Sequence, residues 1–198
     1  MFRLKMLAAT FASSAAALGL FGAATSSAAT LYTTSAHTTA VPVGTTATAT
    51  SGSIKLTDTT LGITNTCTGS TLDLTLETNS GGTVSANITG GSFSGCSLGT
   101  TTGNFSTPWV LSVSGSSTTS GSNTVWDTAS VDSVNVTVDG IGFSGNLSSG
   151  VSASQPTSAG APLSLVLNGA GTLTGDLTSA TVTGTYTLTG TAANYSLN

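Results

Sequence analysis

Ionisable side chains are scarce in this sequence. Its 198 residues include three lysines and arginines, one histidine and seven carboxylates. If the N-terminal segment is an export signal, as argued below, Lys55 and His37 are the basic residues that remain. General acids, general bases and metal ligands are mostly ionisable groups, so this scarcity argues against an enzyme. One lysine against seven carboxylates, a net charge near −6, also disfavours nucleic acid and anionic lipid surfaces as partners.

The N-terminus is typical of a secretory signal. Arg3 and Lys5 give it a positive end, and an apolar, alanine-rich stretch follows over Met6–Gly22. That stretch is too short for a comfortable membrane span, and small residues then lead to a cleavage site near Ala29. We therefore expect residues 1–29 to be a signal peptide. The mature protein is expected to be secreted, extracellular or loosely associated with the cell surface, with no transmembrane segment.

Two cysteines flank a segment with the pattern of a β-hairpin. Leucines alternate with polar residues over 72–77, and apolar residues alternate with polar ones over 84–89. Residues 79–82 (NSGG) supply the chemistry of a tight turn between them. Folding this hairpin brings Cys67 and Cys96 together, and their spacing matches neither a metal site nor a redox pair. We expect a structural disulfide, which fits an oxidising compartment.

Apolar residues alternate with Ser, Thr, Asn or Asp through most of the remaining chain, for example over Trp109–Val113 and Val134–Val138. This period of two predicts antiparallel strands with one dry face and one wet face. We expect an all-β fold, a single antiparallel β-sandwich of Greek-key or jelly-roll type over residues 51–198. Residues 30–50 include Pro42, which is barred from the centre of a sheet, so they are expected to form an extended N-terminal arm or an edge strand.

Threonine occupies every second position near the C-terminus, and the six side chains should project from one face. They are Thr181, Thr183, Thr185, Thr187, Thr189 and Thr191. The simplest interpretation is a solvated strand face, because threonine is β-branched and polar. The alternative is an array that contacts an ordered surface such as ice or crystalline polysaccharide, although Thr46–Thr50 alone shows a similar pattern elsewhere. Trp126 is either a weak core candidate or an exposed contact residue.

Few arrangements in the sequence would support catalysis. His37 lies in the extended arm, a poor support for the base of a Ser–His–Asp triad, so we expect an ordinary exposed histidine. Asp127, Asp132 and Asp139 form the closest group of carboxylates, and such groups cleave glycosidic bonds or bind calcium in other proteins. Turn formation is the simpler role for Asp139, because Gly140 follows it. We therefore expect no catalytic residue, no metal and no cofactor.

One part of the chain resembles a known family. A cysteine begins a hairpin at Thr66–Thr68, a closing cysteine follows at Ser94–Cys96, and Thr107–Leu111 (TPWVL) leads into a Ser/Thr-rich strand. This order over residues 66–113 resembles the alkane-oxidation activator family, also called PraB-like, of small exported bacterial proteins. Residues 134–147 fit the same family loosely. The resemblance implies a secreted, non-catalytic β protein that helps cells meet hydrophobic substrates or surfaces.

These observations favour a binding or structural role at the cell surface or in the medium. The expected partner is a hydrophobic surface, a polysaccharide or a second copy of the chain. One alternative is an extracellular filament or adhesin subunit in which residues 30–50 add as a strand to a neighbour's sheet. A second alternative is a hydrolase that uses two of the aspartates.

Overall fold

The computed structural model describes residues 28–175 and 179–198. Nearly all of the predicted signal peptide, residues 1–29, lies outside the described residues, as does Asp176. The strands are β1 (Leu31–Tyr32), β2 (Thr46–Ser51), β3 (Ile54–Asp58), β4 (Thr64–Ser80), β5 (Thr83–Cys96), β6 (Thr101–Gly103), β7 (Trp109–Ser114), β8 (Thr118–Ser120), β9 (Asn123–Trp126), β10 (Ala129–Val138), β11 (Ile141–Leu147), β12 (Val151–Pro156), β13 (Ser164–Gly175), β14 (Ser179–Thr189) and β15 (Ser196–Leu197).

The fold is all-β, as the alternating pattern predicts. On β4, Leu72, Leu74 and Leu76 are buried, whereas Asp73 and Glu77 are exposed. Successive side chains of a strand point to opposite faces, so this alternation places the leucines in the core and the carboxylates in solvent. Within the described residues the strands are accompanied by a single short 3₁₀ turn over Gly190–Asn194. No helix in this part of the chain is long and apolar enough to cross a membrane.

Thirteen strands join in one antiparallel sheet, and β1 and β15 form a separate two-stranded sheet. Hydrogen-bonded neighbours follow the order β2-β14-β3-β4-β5-β7-β10-β11-β13-β12-β9-β8, with β6 beside β10. Two further pairings join β2 to β4 and β13 to β14. Because β13 and β14 lie far apart in the order above, the second pairing requires the sheet to curl round one interior. The antiparallel all-β prediction is confirmed. The division into two sandwich layers of Greek-key type stays a prediction, because the pairings describe one continuous sheet.

One hydrophobic cluster fills the interior of the sheet. Its largest fully buried side chains are Ile88, Trp126 and Leu173. A polar pair is buried within it, where the hydroxyls of Ser70 and Tyr186 lie 2.7 Å apart and hydrogen-bond each other. Two small cavities of about 90 and 60 Å³ in the same interior are lined mainly by aliphatic side chains. The interior is therefore mainly apolar around the Ser70–Tyr186 pair.

The N-terminal arm is packed against the sheet. Strand β1 pairs with β15, Val41 is buried, and the Gly44 N–H donates a 2.7 Å hydrogen bond to the Leu76 carbonyl. Strand β2 lies between β14 and β4, so the prediction of an edge strand is wrong for this segment. Pro42 does lie outside the ladder. Because β2 begins four residues later, after a turn, the restriction that proline imposes does not reach it.

Cys67 and Cys96 form a disulfide, as predicted. They face each other directly in the β4–β5 hairpin. At the other end of the hairpin, Gly81 and Gly82 make the turn with φ values of 63° and 79°, a conformation that glycine adopts without steric cost. Turn and disulfide therefore fix the register of these two strands from opposite ends.

Tyr186 should make stability depend on pH in the alkaline range. Burial raises the pKa of Tyr186 from 10.0 to about 12, against the opposing effect of its hydrogen bond with Ser70. The folded chain then holds this proton more tightly than the unfolded chain. The resulting stability is complete below pH 10 and is lost as the pH rises through about 12. A shift of that size corresponds to about 2–3 kcal/mol.

We therefore expect the free energy of unfolding to fall by about 2–3 kcal/mol more in the wild type than in a Tyr186→Phe/Ser70→Ala variant between pH ~9.5 and ~12.5. The double change avoids leaving one buried hydroxyl unpaired. Urea unfolding at stepped pH measures the difference, and a Tyr32→Phe variant is the control. Parallel curves for the wild type and the double variant would contradict the assignment.

Removing the disulfide should destabilise the fold without changing it. For a loop closed over 29 residues, the chain-entropy model gives a loss of about 3–4 kcal/mol. A Cys67→Ser/Cys96→Ser variant should show this loss in urea unfolding, and the wild type in reductant should match it. Equal stability of the oxidised wild type and the variant would be inconsistent with this role.

Candidate functional site

Four large aliphatic side chains are exposed together on the surface. Leu61 is 68% exposed, Ile63 49%, Leu98 41% and Ile141 42%. They line one cleft of about 280 Å³, which we call the end cleft. The complete lining is Leu56, Asp58, Leu61, Ile63, Asn65, Leu98, Val138, Ile141, Phe143 and Ala180. A contiguous exposed apolar patch marks a contact surface more often than scattered apolar residues do.

The loop between β3 and β4 carries two of these side chains in a fixed conformation. The Asp58 carboxylate accepts hydrogen bonds from the backbone N–H groups of Thr60 at 2.8 Å and Leu61 at 2.6 Å. The Asp58 N–H donates to the Ile63 carbonyl at 2.8 Å, and the Asp58 carbonyl accepts from the Gly62 N–H at 3.0 Å. Aspartate forms such local bonds readily in turns. The exposed leucine and isoleucine are therefore held in place before any partner arrives.

The loop between β5 and β6 is held by a buried asparagine. The Asn65 side-chain oxygen accepts from the Leu98 N–H at 3.1 Å and from the Ser97 hydroxyl at 3.4 Å, and its amide donates to the Thr101 hydroxyl at 2.8 Å. Asn65 is 3% exposed, so these bonds satisfy an amide that would otherwise be costly to bury. Cys96, bonded to Cys67, anchors the start of the same loop. Together they fix the position of Leu98.

The turn between β10 and β11 supplies Ile141. Asp139 and Gly140 form this turn, and Ile141 pairs with Val138 across it. The Asp139 N–H donates a 2.8 Å hydrogen bond to the Thr100 carbonyl, which ties the turn to the neighbouring β5–β6 loop. The end cleft is thus built from three loops, and backbone hydrogen bonds restrain each one.

The chemistry of the end cleft is that of apolar contact. Among its lining residues Asp58 and Asn65 are polar, and both use their side chains to hold the surrounding loops. The lining contains no histidine, lysine, serine or aromatic ring apart from that of Phe143. Such a surface can lower the free energy of an apolar partner by removing its area from water.

The structure does not bring the three candidate catalytic aspartates together. Asp132 lies within β10, whereas Asp139 lies in the turn that follows it. At about 3.3 Å per residue, their separation is about 20 Å, and a glycosidase needs its carboxylates about 5–9.5 Å apart. Asp127 precedes the opposite end of the same strand. In the described residues, no group of three or more His, Cys, Asp or Glu side chains is placed to hold a metal ion.

His37 is half-buried, so the expectation of an ordinary exposed histidine is wrong. Its Nε2 lies 2.7 Å from the hydroxyl of Ser196, a buried residue of β15. The Ser196 hydroxyl donates at 3.2 Å to the side-chain oxygen of Gln155, and the ring of His37 packs 5.0 Å from that of Tyr32. The serine proton is thus directed to an amide oxygen. This cluster ties the N-terminal arm to the C-terminal strand.

The predicted threonine row is present on β14, except for its last residue, Thr191. Five of the six threonines, Thr181, Thr183, Thr185, Thr187 and Thr189, alternate with buried or small residues on this strand. Thr191 lies instead in the 3₁₀ turn, so the prediction of six on one strand face is wrong. Gly190, with φ of 63°, ends the extended conformation between them.

Trp126 does not contact solvent, so its prediction as an exposed contact residue is wrong. It is 1% exposed. It stands opposite Ala153 in the β9–β12 pairing, where the small alanine side chain leaves room for the indole on the core face. The indole N–H has no hydrogen-bond partner among the described residues. Trp126 therefore contributes apolar area to the core.

The residues of the end cleft are absent from the sequence-based predictions. One signal was available: Leu61 precedes Gly62, Leu98 precedes Gly99 and Ile141 follows Gly140. A large aliphatic residue beside a turn glycine is usually exposed, because turns run over the surface. Three such pairs in one chain indicate exposed apolar residues. They do not indicate that these residues lie next to one another in the fold.

Comparisons with known proteins give no family for this chain. No family model, no curated protein and no solved structure matches it. The role of the end cleft is therefore argued from its own geometry and from the sequence.

Asp58 should be the residue that keeps the β3–β4 loop rigid. An Asp58→Ala variant loses the hydrogen bonds from the Thr60 and Leu61 N–H groups, so we expect several-fold faster amide exchange at these two residues and a stability loss of about 1 kcal/mol. Asp58→Asn keeps an acceptor oxygen and should behave like the wild type. Hydrogen exchange followed by NMR measures both variants. Unchanged exchange in the alanine variant would show that the loop does not need this carboxylate.

Proposed function

We propose that this protein is an exported, non-catalytic β-sandwich protein that contacts hydrophobic substrates through the end cleft. The observation that carries the proposal is the clustering of Leu61, Ile63, Leu98 and Ile141, four of the five large hydrophobic side chains exposed in the described residues. The favoured occupant is an uncharged apolar surface, such as that of a liquid hydrocarbon. The lining offers no cation for an anionic headgroup, and its two polar side chains are engaged by the loops.

The strength of such a contact follows from the exposed area. Burying a large aliphatic side chain completely is worth about 1.5–3 kcal/mol, and these four are already about half buried, so each would add about 1 kcal/mol. One copy would then bind weakly and reversibly. Because the loops are preorganised, little conformational entropy opposes the contact. Many copies together could coat an interface between water and hydrocarbon.

The sequence supports the same proposal from a different direction. The segment that resembles the alkane-oxidation activator family, residues 66–113, contains the disulfide hairpin and the Leu98 loop. The predicted N-terminal signal, residues 1–29, would deliver the protein to the medium or to the cell surface. A hydroxyl-rich, weakly charged exterior would keep it soluble there.

The alternative roles have less support. In a filament subunit, residues 30–50 would have to leave their own chain, where β1 pairs with β15 and β2 pairs with both β14 and β4. Exchange between copies would therefore require β2 to break its hydrogen bonds with both neighbouring strands. In a hydrolase, two aspartates would have to face one bond, and Asp132 and Asp139 are about 20 Å apart by strand geometry.

The proposal predicts that the end cleft determines binding to hydrocarbon. In an emulsion of hexadecane and buffer, the mature wild-type protein should be enriched at the droplets. A Leu61→Ser/Ile63→Thr variant should lose most of this enrichment, at least threefold, because half of the exposed aliphatic area is removed. The protein left in the aqueous phase is measured by absorbance.

A Val43→Thr variant is the matched control. Val43 is 60% exposed, and the next residue, Gly44, hydrogen-bonds to the Leu76 carbonyl. Leu76 lies eleven residues along β4 from Asn65 of the end cleft, which places Val43 roughly 35 Å from the cleft. This variant should bind droplets like the wild type. Equal losses in both variants would point to nonspecific adsorption, and no enrichment of the wild type would refute the proposal.

A further inference from the structure

The sheet brings three threonine-rich segments side by side. Strand β2 separates β14 from β4, and the pairings place Thr48 beside Thr189 on one side and beside Asp73 on the other. Thr46 stands opposite Thr75 in the same ladder. Paired residues of adjacent strands project from the same face. The threonines of β14 and of residues 46–50, which look like separate patterns in the sequence, therefore belong to one surface.

The 3₁₀ turn converts this surface into a groove. Gly190 turns the chain away from the end of β14, and Ala192, 2% exposed, anchors the turn against the protein. Thr191 thereby faces the outer side of β2 and β4 across an open groove of about 470 Å³. We call it the threonine groove. Its polar lining is Thr46, Thr48, Asp73, Thr75, Thr89, Thr189 and Thr191. This volume lies within the ~300–1,000 Å³ of small-molecule sites.

Asp73 is the charged group of the groove. Its carboxylate accepts a 3.3 Å hydrogen bond from the Thr48 hydroxyl, and the side chain is otherwise exposed. Gly90 stands opposite it on β5, where a Cβ atom would lie 3.1 Å from the second carboxylate oxygen. The absence of a side chain at Gly90 leaves the carboxylate open to the groove. A carboxylate with free lone pairs is a strong acceptor for hydroxyl donors.

The lining selects a class of ligand. It contains no lysine, arginine or histidine, so an anionic ligand would find no counter-charge. One carboxylate does not supply the six to eight oxygen ligands that calcium requires. Threonine hydroxyls both donate and accept, and their methyl groups provide small apolar contacts. The complementary partner is a neutral molecule with many hydroxyls.

The surroundings of the groove favour a polymer over a single sugar. A row of hydroxyl side chains in register continues beside it across β13, β14, β2, β4 and β5, namely Ser164, Thr187, Thr50, Thr71 and Ser92. Two pairs within the row hydrogen-bond each other, Ser164 with Thr187 at 3.0 Å and Thr71 with Ser92 at 2.8 Å. With strands about 4.8 Å apart, the row is about 19 Å long. An extended chain could follow it out of the groove.

We propose that the threonine groove binds a neutral polysaccharide chain through hydrogen bonds with its threonine hydroxyls and with the Asp73 carboxylate. This site is separate from the end cleft in residues and in chemistry. It would let the same protein attach to a hydroxyl-rich matrix while the cleft contacts apolar material.

The test compares polysaccharide binding by matched threonine variants. The probes are soluble cello-, chito- and malto-oligosaccharides in calorimetric titration, and insoluble cellulose and chitin in sedimentation. We expect the mature wild type to bind at least one probe. Thr46→Val/Thr75→Val removes two cross-strand hydroxyls at nearly constant shape and should weaken binding at least tenfold. Asp73→Asn should weaken it several-fold.

The control is Thr119→Val/Thr124→Val, a second cross-strand threonine pair on the β8–β9 hairpin. It should bind like the wild type, and all variants should keep the same unfolding midpoint and the same partition to hexadecane. The proposal is overturned if the wild type binds no probe or if the control loses as much binding as the groove variant. It is also overturned if the wild type changes the growth of ice crystals but binds no polysaccharide. Unchanged hexadecane partition in the groove variants separates this result from a failure of the end cleft.

Discussion

The register of β4 is the constraint on which both surfaces depend. This strand pairs with β5 along one edge and with β2 and β3 along the other, so an error in its register would pass to both neighbours. A shift by one residue would turn Leu72, Leu74 and Leu76 outward and bury Asp73 and Glu77. The Gly81–Gly82 turn and the Cys67–Cys96 disulfide hold the hairpin from its two ends. Burial of alternate leucines favours the same register along its length.

The two surfaces use different regions of this scaffold. The end cleft is formed by loops that follow β3, β5 and β10, and local hydrogen bonds from Asp58 and Asn65 give these loops defined shapes. The threonine groove is formed on the sheet itself, where pairing alone sets the spacing of its hydroxyls. Loops can present large aliphatic residues because they are not constrained to alternate. A strand face presents an ordered polar pattern because alternation is obligatory.

The near absence of charge is consistent with both proposed contacts. Removing a charged group from water costs a large free energy, and removing a hydroxyl costs less. Removing an aliphatic group from water is favourable. Buried polar side chains of the described residues hydrogen-bond one another across the fold, as in the pairs Ser70–Tyr186 and Ser196–Gln155, with the Trp126 indole as an exception. Stability therefore comes mainly from strand pairing and from the aliphatic core.

The alternation of residue types by itself determined that the chain is all-β, and the spacing of two cysteines round an NSGG turn determined the hairpin and its disulfide. These features are local, or are closed by one tight turn, so period and turn chemistry suffice to predict them. Tertiary structure decided the rest: that β2 lies inside the sheet, that Trp126 is buried opposite Ala153, and that Leu61, Leu98 and Ile141 meet in one cleft. These depend on pairings between distant strands, such as β14 with β2, and alternating strands of similar composition are compatible with many such orders.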